Sequence, residues 1–277
     1  MPARTIVITG ASDGIGAAAA RHFSAVGERV VLVGRSEQKT TAIATALGAD
    51  HFIADFAHLD QVRVLAAQLR ERYPRIDVLA NNAGGIMGKR EETDDGHERT
   101  FQVNHLAPFL LTTLLVDRLI DSKARIINTS SVANRFFGNL DINDLDARSK
   151  YSANKAYGDA KLANILFTKE LDRRYRRAGI ASAAFHPGYV ATNFSAGSSS
   201  YLRFIYRTML KRSLTSPEKG ADTLEWLATA SPGVDWTPGE YYYKRKVSRA
   251  NTQAYDDKLA RQLWELSAKM VAPNVGG

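Results

Sequence analysis

The amino-acid sequence predicts one α/β domain built on a doubly wound parallel sheet, with a layer of helices on each face. Three observations lead there. Short β-branched runs, several of them apolar on both faces, recur along the chain; longer stretches of helical periodicity separate them; and a glycine-rich turn joins the first strand to the first helix. Crossover helices cover both faces of a parallel sheet, so its strands read as near-continuous apolar runs. Alternation of strand and helix with right-handed crossovers leaves few other architectures. The 277 residues, 44% hydrophobic and 24% charged, suit a single globular domain of this kind.

The strands are expected at Thr5–Thr9, Val30–Val33, His51–Ala54, Val78–Ala80, Arg125–Asn128 and Ile180–Phe185. Between the third and fourth, Leu59, Val62, Leu65, Ala66 and Leu69 fall on one helical face that stops at Tyr73-Pro74. No repeat or long linker divides the chain, so the domain is expected to run over 1–277. Residues 195–217 break the pattern. They open with a Ser- and Gly-rich run and continue with Leu202, Phe204, Ile205 and Met209 beside Arg203, Arg207 and Lys211. That stretch reads as a substrate lid, or as a surface helix covering the core.

Composition excludes several classes. The chain has no cysteine, so neither disulfides nor thiolate chemistry is available, and no metal site is expected. Its net charge of +8 is concentrated at Arg173-Arg174-Tyr175-Arg176-Arg177, Lys211-Arg212 and Lys244-Arg245-Lys246. The first run ends a long amphipathic helix, where cations complement the dipole and face solvent. No nucleic-acid module accompanies the charge, and no nucleic-acid partner is expected. The apolar stretch from Leu106 to Ile120 is interrupted by Pro108, Asp117 and Arg118 and falls short of a membrane span. The N-terminus runs directly into the first strand, so the expectation is a cytoplasmic protein without a signal or anchor.

The turn Thr9-Gly10-Ala11-Ser12-Asp13-Gly14-Ile15-Gly16 lies between strand and helix. In Rossmann-type domains glycines there permit the sharp turn, the approach of backbone to a pyrophosphate, and close helix–sheet packing. The helix N-terminus then presents N–H groups and partial positive charge to the phosphates. The second strand ends in Gly34-Arg35-Ser36. An acidic residue at that point selects NAD through the ribose 2′-hydroxyl, whereas arginine accommodates a 2′-phosphate. Arg35, with the Ser36 hydroxyl beside it, predicts NADP(H).

The glycine spacing Gly10-x3-Gly14-x-Gly16 resembles that of the short-chain dehydrogenase/reductase family, and the resemblance extends along essentially the whole chain. It implies cofactor contacts from Gly10, Ser12, Asp13, Gly14, Ile15 and Gly16 at the pyrophosphate, and from Asp55 at the adenine edge. Asn81-Asn82-Ala83-Gly84 is similar to the family's NNAG motif, so Asn82, Ala83 and Gly84 border the cofactor. His186-Pro187-Gly188-Tyr189-Val190-Ala191-Thr192 resembles the loop that holds the carboxamide, through Pro187, Gly188, Val190 and Thr192. Asn104 matches the helix asparagine that supports a proton-relay water. Ser131, the position just before Val132-Ala133, matches the catalytic serine.

The Tyr-x3-Lys signature occurs twice, at Tyr151/Lys155 and Tyr157/Lys161. Residues four apart share a helical face, so either pair fits. The family's lysine is followed by a small-residue, apolar helix, as in Lys161-Leu162-Ala163-Asn164-Ile165-Leu166-Phe167, which assigns the role to Tyr157 and Lys161. Tyrosine titrates near ~10 in water. A neighbouring ammonium and an oxidised nicotinamide favour phenolate, bringing the acid closer to working pH. Lys161 also holds the ribose by resemblance, and Ser131 hydrogen-bonds the substrate oxygen.

The long interval from Ser131 to Tyr157, with its insert Asn139–Leu145, and the C-terminal Gly239-Glu240-Tyr241-Tyr242-Tyr243 resemble the retinol dehydrogenase-like branch. The implied function is NADP(H)-dependent hydride transfer between nicotinamide and a small-molecule carbonyl or alcohol carbon, on an apolar substrate. Phe136 and Phe137 are expected to line the cleft with the lid. The family also implies a homo-oligomer. The competing reading is a non-catalytic NADP(H)-sensing regulator on the same fold; retention of Asn104, Ser131, Tyr157 and Lys161 speaks for the enzyme.

Overall fold

The structure is a computed structural model that describes residues 3–188 and 215–273. One eight-stranded sheet runs through it in the order β3-β2-β1-β4-β5-β6-β7-β8. Its strands are β1 (Thr5–Thr9), β2 (Arg29–Gly34), β3 (Asp50–Ile53), β4 (Val78–Asn81), β5 (Arg125–Thr129), β6 (Ala181–Phe185), β7 (Tyr241–Tyr243) and β8 (Lys246–Val247). The ladder is parallel from β3 to β7, and β8 turns back antiparallel on β7. The order reverses between β1 and β4, which opens a crevice beyond the carboxyl ends of the strands, where Rossmann-type folds bind ligands.

The six expected strands are present, each within a residue or so of its expected ends. β7 and β8 were not foreseen. A three-residue Tyr-Tyr-Tyr segment and a two-residue segment show no period, and only pairing with β6 makes the first a strand.

Strand alternation divides the core. Ile6 and Ile8 of β1 face one side, where α1 (Gly14–Ala25) and the helix Pro217–Thr229 cover them. Val7 faces the other, with α3 (Leu59–Arg72) and the long helix Ala153–Tyr175. Between α1 and α3 lies α2 (Glu37–Leu47). On the second face a helical run starts as α4 (Arg99–Phe101), passes through a π-turn (Gln102–Leu106), and resumes as α5 (Ala107–Leu114) and α6 (Val116–Asp121). Among the described residues the remaining α-helices are α7 (Ala133–Phe137), α8 (Ala153–Tyr175), α9 (Pro217–Thr229) and α10 (Asp257–Met270).

The apolar face of α10 seals this second layer. Trp264 sits 5.0 Å from the ring of Phe109 on α5 and 5.7 Å from Phe167 on α8, with the Arg174 guanidinium 4.6 Å over its face. Burying a side chain of this size contributes about 2–3 kcal/mol. The expected lid lies outside the described residues up to its last three positions, Thr215–Pro217, where Ser216 caps α9 and Pro217 occupies its first turn.

Lys211 and Arg212 lie outside the described residues; in the other two basic clusters Arg173, Arg174, Arg176 and Arg245 are ion-paired. Arg173 and Arg174 share Glu170, Arg174 also meets Glu265, Arg176 pairs with Asp172, and Arg245 with Asp222. They form a solvated helix end and a hairpin turn.

Candidate active site

The glycine turn is shaped by close backbone contacts. Gly10 and Gly14 have φ of +66° and +54°, a region that L side chains avoid. A Cβ on Gly10 would lie 2.8 Å from Ala83 Cα, and one on Gly16 would lie 2.3 Å from the Gly10 carbonyl oxygen. The first and third glycines therefore let the turn pack against Asn82-Ala83. Thr9 secures that contact, its Oγ1 accepting from the N–H groups of Asn82 (2.9 Å) and Ala83 (3.0 Å). The Asn82 amide donates back to the Thr9 carbonyl at 3.0 Å. Asp13 caps α1, accepting from Gly14 N–H at 2.7 Å. Ser12 sits against Gly34, its Oγ 3.3 Å from where a Cβ there would be. Ile15 stands half-buried in the first turn. A helix N-terminus behind a turn that tolerates no extra methyl groups fits a dinucleotide pyrophosphate.

At the end of β2, Arg35 is exposed and Ser36 caps α2, accepting from Lys39 N–H at 3.4 Å. Lys39 lies on that first turn with its Nζ 3.5 Å from Asp13 Oδ2. The sequence reading missed this cation. Its signal was a basic residue one helical turn beyond Arg35. Asp55, following β3, accepts from Ala57 N–H at 3.0 Å while Gln61 holds its backbone N–H.

The two Tyr-x3-Lys pairs separate cleanly. α8 begins at Ala153 behind its Ser152 cap, so Tyr151 precedes the helix and does not share a helical face with Lys155. The Tyr151 hydroxyl points to the carbonyls of Met87 and Lys89, at 3.3 and 3.2 Å. Lys155 pairs with Asp159 and donates to the Asn139 carbonyl. Tyr157 and Lys161 instead lie on the buried face. The Lys161 ammonium is 5.5 Å from the centre of the Tyr157 ring and donates to the Thr129 carbonyl at 3.1 Å. Burial pushes its pKa down to about 7.

Gly84, Asn104 and Lys161 converge. A Cβ on Gly84 would lie 2.4 Å from Asn104 Oδ1 and 3.0 Å from Lys161 Nζ. Asn104 sits in the π-turn, fully buried. Its amide donates to the carbonyls of Gly85 and Thr100, both at 2.8 Å, and its Oδ1 accepts from Gly85 N–H at 3.1 Å. The two adjacent serines divide their work. Ser130 is structural: its hydroxyl donates to the Lys161 carbonyl at 2.7 Å, and its N–H to Phe185. Ser131 is half-buried, and its Oγ accepts from Ala133 N–H at 3.2 Å.

Ile86, Ala133 and Ala153 form the apolar surround of Tyr157. Ile86 was not singled out from the sequence, because nothing in an irregular loop marks which apolar side chain turns inward. Phe136 and Phe137 are 63% and 49% exposed, and Phe137 turns its backbone and Cβ against Gly158. Pro187 and Gly188 follow β6, where Gly188 N–H donates to His186 Nδ1 at 3.2 Å. His186 stacks on Tyr243 at 4.1 Å. Val190, Thr192 and the apolar residues of the expected lid lie outside the described residues.

A family profile described as short chain dehydrogenase matches residues 4–201. The chain belongs to the short-chain dehydrogenase family. Among its relatives is DnrU of Streptomyces sp. (strain C5), named as a daunorubicin C-13 ketoreductase, 46% identical over 98% of this chain and 93% of that protein. Human retinol dehydrogenase 13 is 37% identical over 99% of this chain and 87% of its own length. Similar solved structures include an uncharacterised protein from Mycobacterium paratuberculosis. It shares 31% identity and a TM-score of 0.77 over 97% of this chain and 93% of that one. A metagenomic short-chain oxidoreductase solved with NADP shares 26% identity and a TM-score of 0.61 over 82% and 91%. These relatives place this short-chain dehydrogenase in the retinol dehydrogenase-like branch. Among the described residues of the dehydrogenase no helix is long and apolar enough to cross a membrane, and no His, Cys, Asp and Glu cluster suits a metal ion.

Proposed function

We propose that this dehydrogenase is an NADP(H)-dependent oxidoreductase that interconverts an apolar ketone or aldehyde and its alcohol. The observation that carries this reading is the convergence of Lys161, Asn104 and Gly84 beside Tyr157. It fits a site for a ribose and a proton donor, and it gives a purely structural lysine little reason to be buried. Arg35 and Lys39 flank the end of β2 where an adenosine 2′-phosphate would lie, which supports NADP(H) over NAD(H). A cofactor held by these residues, with its nicotinamide beside Tyr157 and Lys161, would supply the hydride in reduction and take it up in oxidation.

The chain's own residues handle the proton and the developing charge. Tyr157 donates its hydroxyl proton to the substrate oxygen as the carbonyl becomes an alkoxide. Lys161 lowers the cost of the resulting phenolate by placing an ammonium near it. Ser131 donates a hydrogen bond to the same substrate oxygen and stabilises its charge. Asn104 holds the Gly85 backbone and packs against Gly84 beside Lys161. Ile86, Ala133 and Ala153 give Tyr157 an apolar surround, which favours apolar substrates. The names of the two relatives, a daunorubicin C-13 ketoreductase and a retinol dehydrogenase, support carbonyl–alcohol chemistry.

The test is a panel of aldehydes and ketones, from acetaldehyde and acetone to long-chain aldehydes and ring ketones, with NADPH and NADH. Each buried methylene contributes about 0.8 kcal/mol, so kcat/KM is expected to rise with chain length, and NADPH to outperform NADH. A flat series removes the apolar site, and no turnover at all overturns the enzymatic reading.

A further inference from the structure

His105, the residue after Asn104, is fully buried in the π-turn and belongs to none of the motifs above. Aromatic rings of Phe101, Phe109 and Phe167 surround it. Its two ring nitrogens face Asn164 Oδ1 on α8 at 3.3 Å and Ser267 Oγ on α10 at 2.9 Å. Asn164 Nδ2 in turn donates to the Thr129 carbonyl at 3.2 Å, and that oxygen also receives the Lys161 ammonium at 3.1 Å.

The chemistry of this chain fixes every proton. A backbone carbonyl only accepts, so the NH₂ end of Asn164 must face Thr129 and its oxygen must face His105. The imidazole therefore carries its proton on Nδ1 and leaves Nε2 bare, and the Ser267 hydroxyl donates to Nε2. Burial holds the ring neutral, with a pKa near 4, so this tautomer persists at neutral pH. We propose that His105 is a positioning residue for Lys161: it locks the Asn164 amide, which keeps the Thr129 carbonyl as the acceptor for the lysine ammonium. Ser267 makes the C-terminal helix part of the same device. If the Nδ1 donor is lost, the Asn164 oxygen has no donor within reach among the described residues but the Lys161 ammonium, and the amide is free to turn its oxygen toward it. Two oxygens then face the lysine, which favours its ammonium and draws it away from Tyr157. Among the described residues, the titratable groups tied to this lysine are the Tyr157 phenol on the same helix and, beyond it, the Tyr241 phenol on β7, whose ionisation Tyr157 opposes.

The inference rests on the catalytic role proposed for Lys161, yet its test needs no turnover. The full chain, free of cofactor, is labelled at the lysine ε-carbons, and Lys161 is assigned by its loss in Lys161→Met. Its titration is then followed by NMR. His105→Leu is expected to raise the Lys161 midpoint by about 0.5 pH unit or more. His105→Asn, which keeps an N–H donor near the Nδ1 position, is expected to stay close to the unmodified protein. A His105→Leu variant that folds, melts at lower temperature and leaves the midpoint unmoved overturns the proposal. Should His105→Leu fail to fold, His105→Phe, which keeps a ring among Phe101, Phe109 and Phe167 but has no donor, decides instead. An upward shift supports the proposal and an unmoved midpoint overturns it. Failure of the oxidoreductase reading shows separately, as no turnover on the carbonyl panel whatever the lysine does.

Discussion

Two tyrosines six residues apart carry opposite expectations. Tyr157→Phe removes the proposed proton donor and keeps the ring, so kcat is expected to fall by about 10²–10⁴-fold with NADPH binding retained. Tyr151→Phe removes a hydroxyl that ties down the 87–89 carbonyls. It is expected to cost about 1 kcal/mol of stability and leave kcat within the same order of magnitude. Steady-state kinetics and thermal melts on both variants check the pair; exchanged phenotypes would overturn the register of the catalytic helix. At the other end of the site, Arg35→Asp puts a carboxylate where a 2′-phosphate would lie. NADPH affinity is expected to drop by about tenfold or more, with NADH affinity little changed. Titration of both cofactors by nucleotide fluorescence reads this directly, and equal losses for the two would refute a phosphate contact. Lys39→Ala is expected to act in the same direction and more weakly, because its ammonium is solvated and screened by salt.

Elements place these residues, and one contact between elements is tight enough to test. α7 and α8 meet backbone to backbone: a Cβ on Gly158 would lie 2.7 Å from the Gly138 nitrogen and 2.7 Å from the Phe137 carbonyl carbon. Backbone cannot yield as a side chain does. Gly158→Ala is therefore expected to push the helices apart, costing about 1–3 kcal/mol. It also shifts Tyr157 relative to Ser131, so kcat should fall further than stability predicts; a melt and a kcat measurement on one preparation check this. Much of this level was legible in the sequence. β1 to β6 announced themselves because strands buried on both faces need continuous apolar runs, and the glycine turn because its position between strand and helix was readable. The register of α8 was legible from the small residues after Lys161. The irregular features were not. The π-turn at Gln102–Leu106 adds one residue to a turn without changing the apolar pattern. The inward aim of Ile86 depends on a loop held by distant carbonyl contacts, and the helical reading of Tyr151 failed because Ser152 caps α8 just after it. Phe136 and Phe137 read in sequence as lining the cleft, yet α7 is so short that its outer face is left to solvent.

For the molecule as a whole, buried titratable groups set the response to acid. His105 and His186 are held neutral by burial, their pKa values pushed down to about 4 from 6.5. Between those values the unfolded chain binds protons that the folded chain refuses, so stability falls as pH drops through that window. His105 alone accounts for roughly 3 kcal/mol by pH 4. Lys161 has the same sign at higher pH, where stability rises between about 7 and 10.5. His97 acts the other way. Burial would lower its pKa, but hydrogen bonds to Asp146 and the Met270 carbonyl raise it. Its contribution is complete below 6.5 and fades above. In acid the carboxylates of Glu28, Asp146 and Glu170, whose pKa values burial would raise but hydrogen bonds lower, lose their contribution to stability alongside the buried imidazoles. Melting temperatures from pH 7 to pH 4 should therefore decline, and His105→Asn should flatten the decline; a flat profile in the unmodified protein would contradict the burial of both rings. The far edge of the sheet has a consequence of a different kind. β8 has two residues, Lys246 and Val247, both exposed, and the turn into it places Lys244 and Arg245 at φ of 49° and 60°. The Arg245 side chain is clamped to Asp222, and its N–H to Thr223 Oγ1. A strand from another molecule arriving at this edge meets a ladder only two residues long with charge on it, too little to template further pairing. By folding back so briefly, the chain protects a parallel sheet from edge-to-edge aggregation at the border where its last tyrosine strand would otherwise stand open.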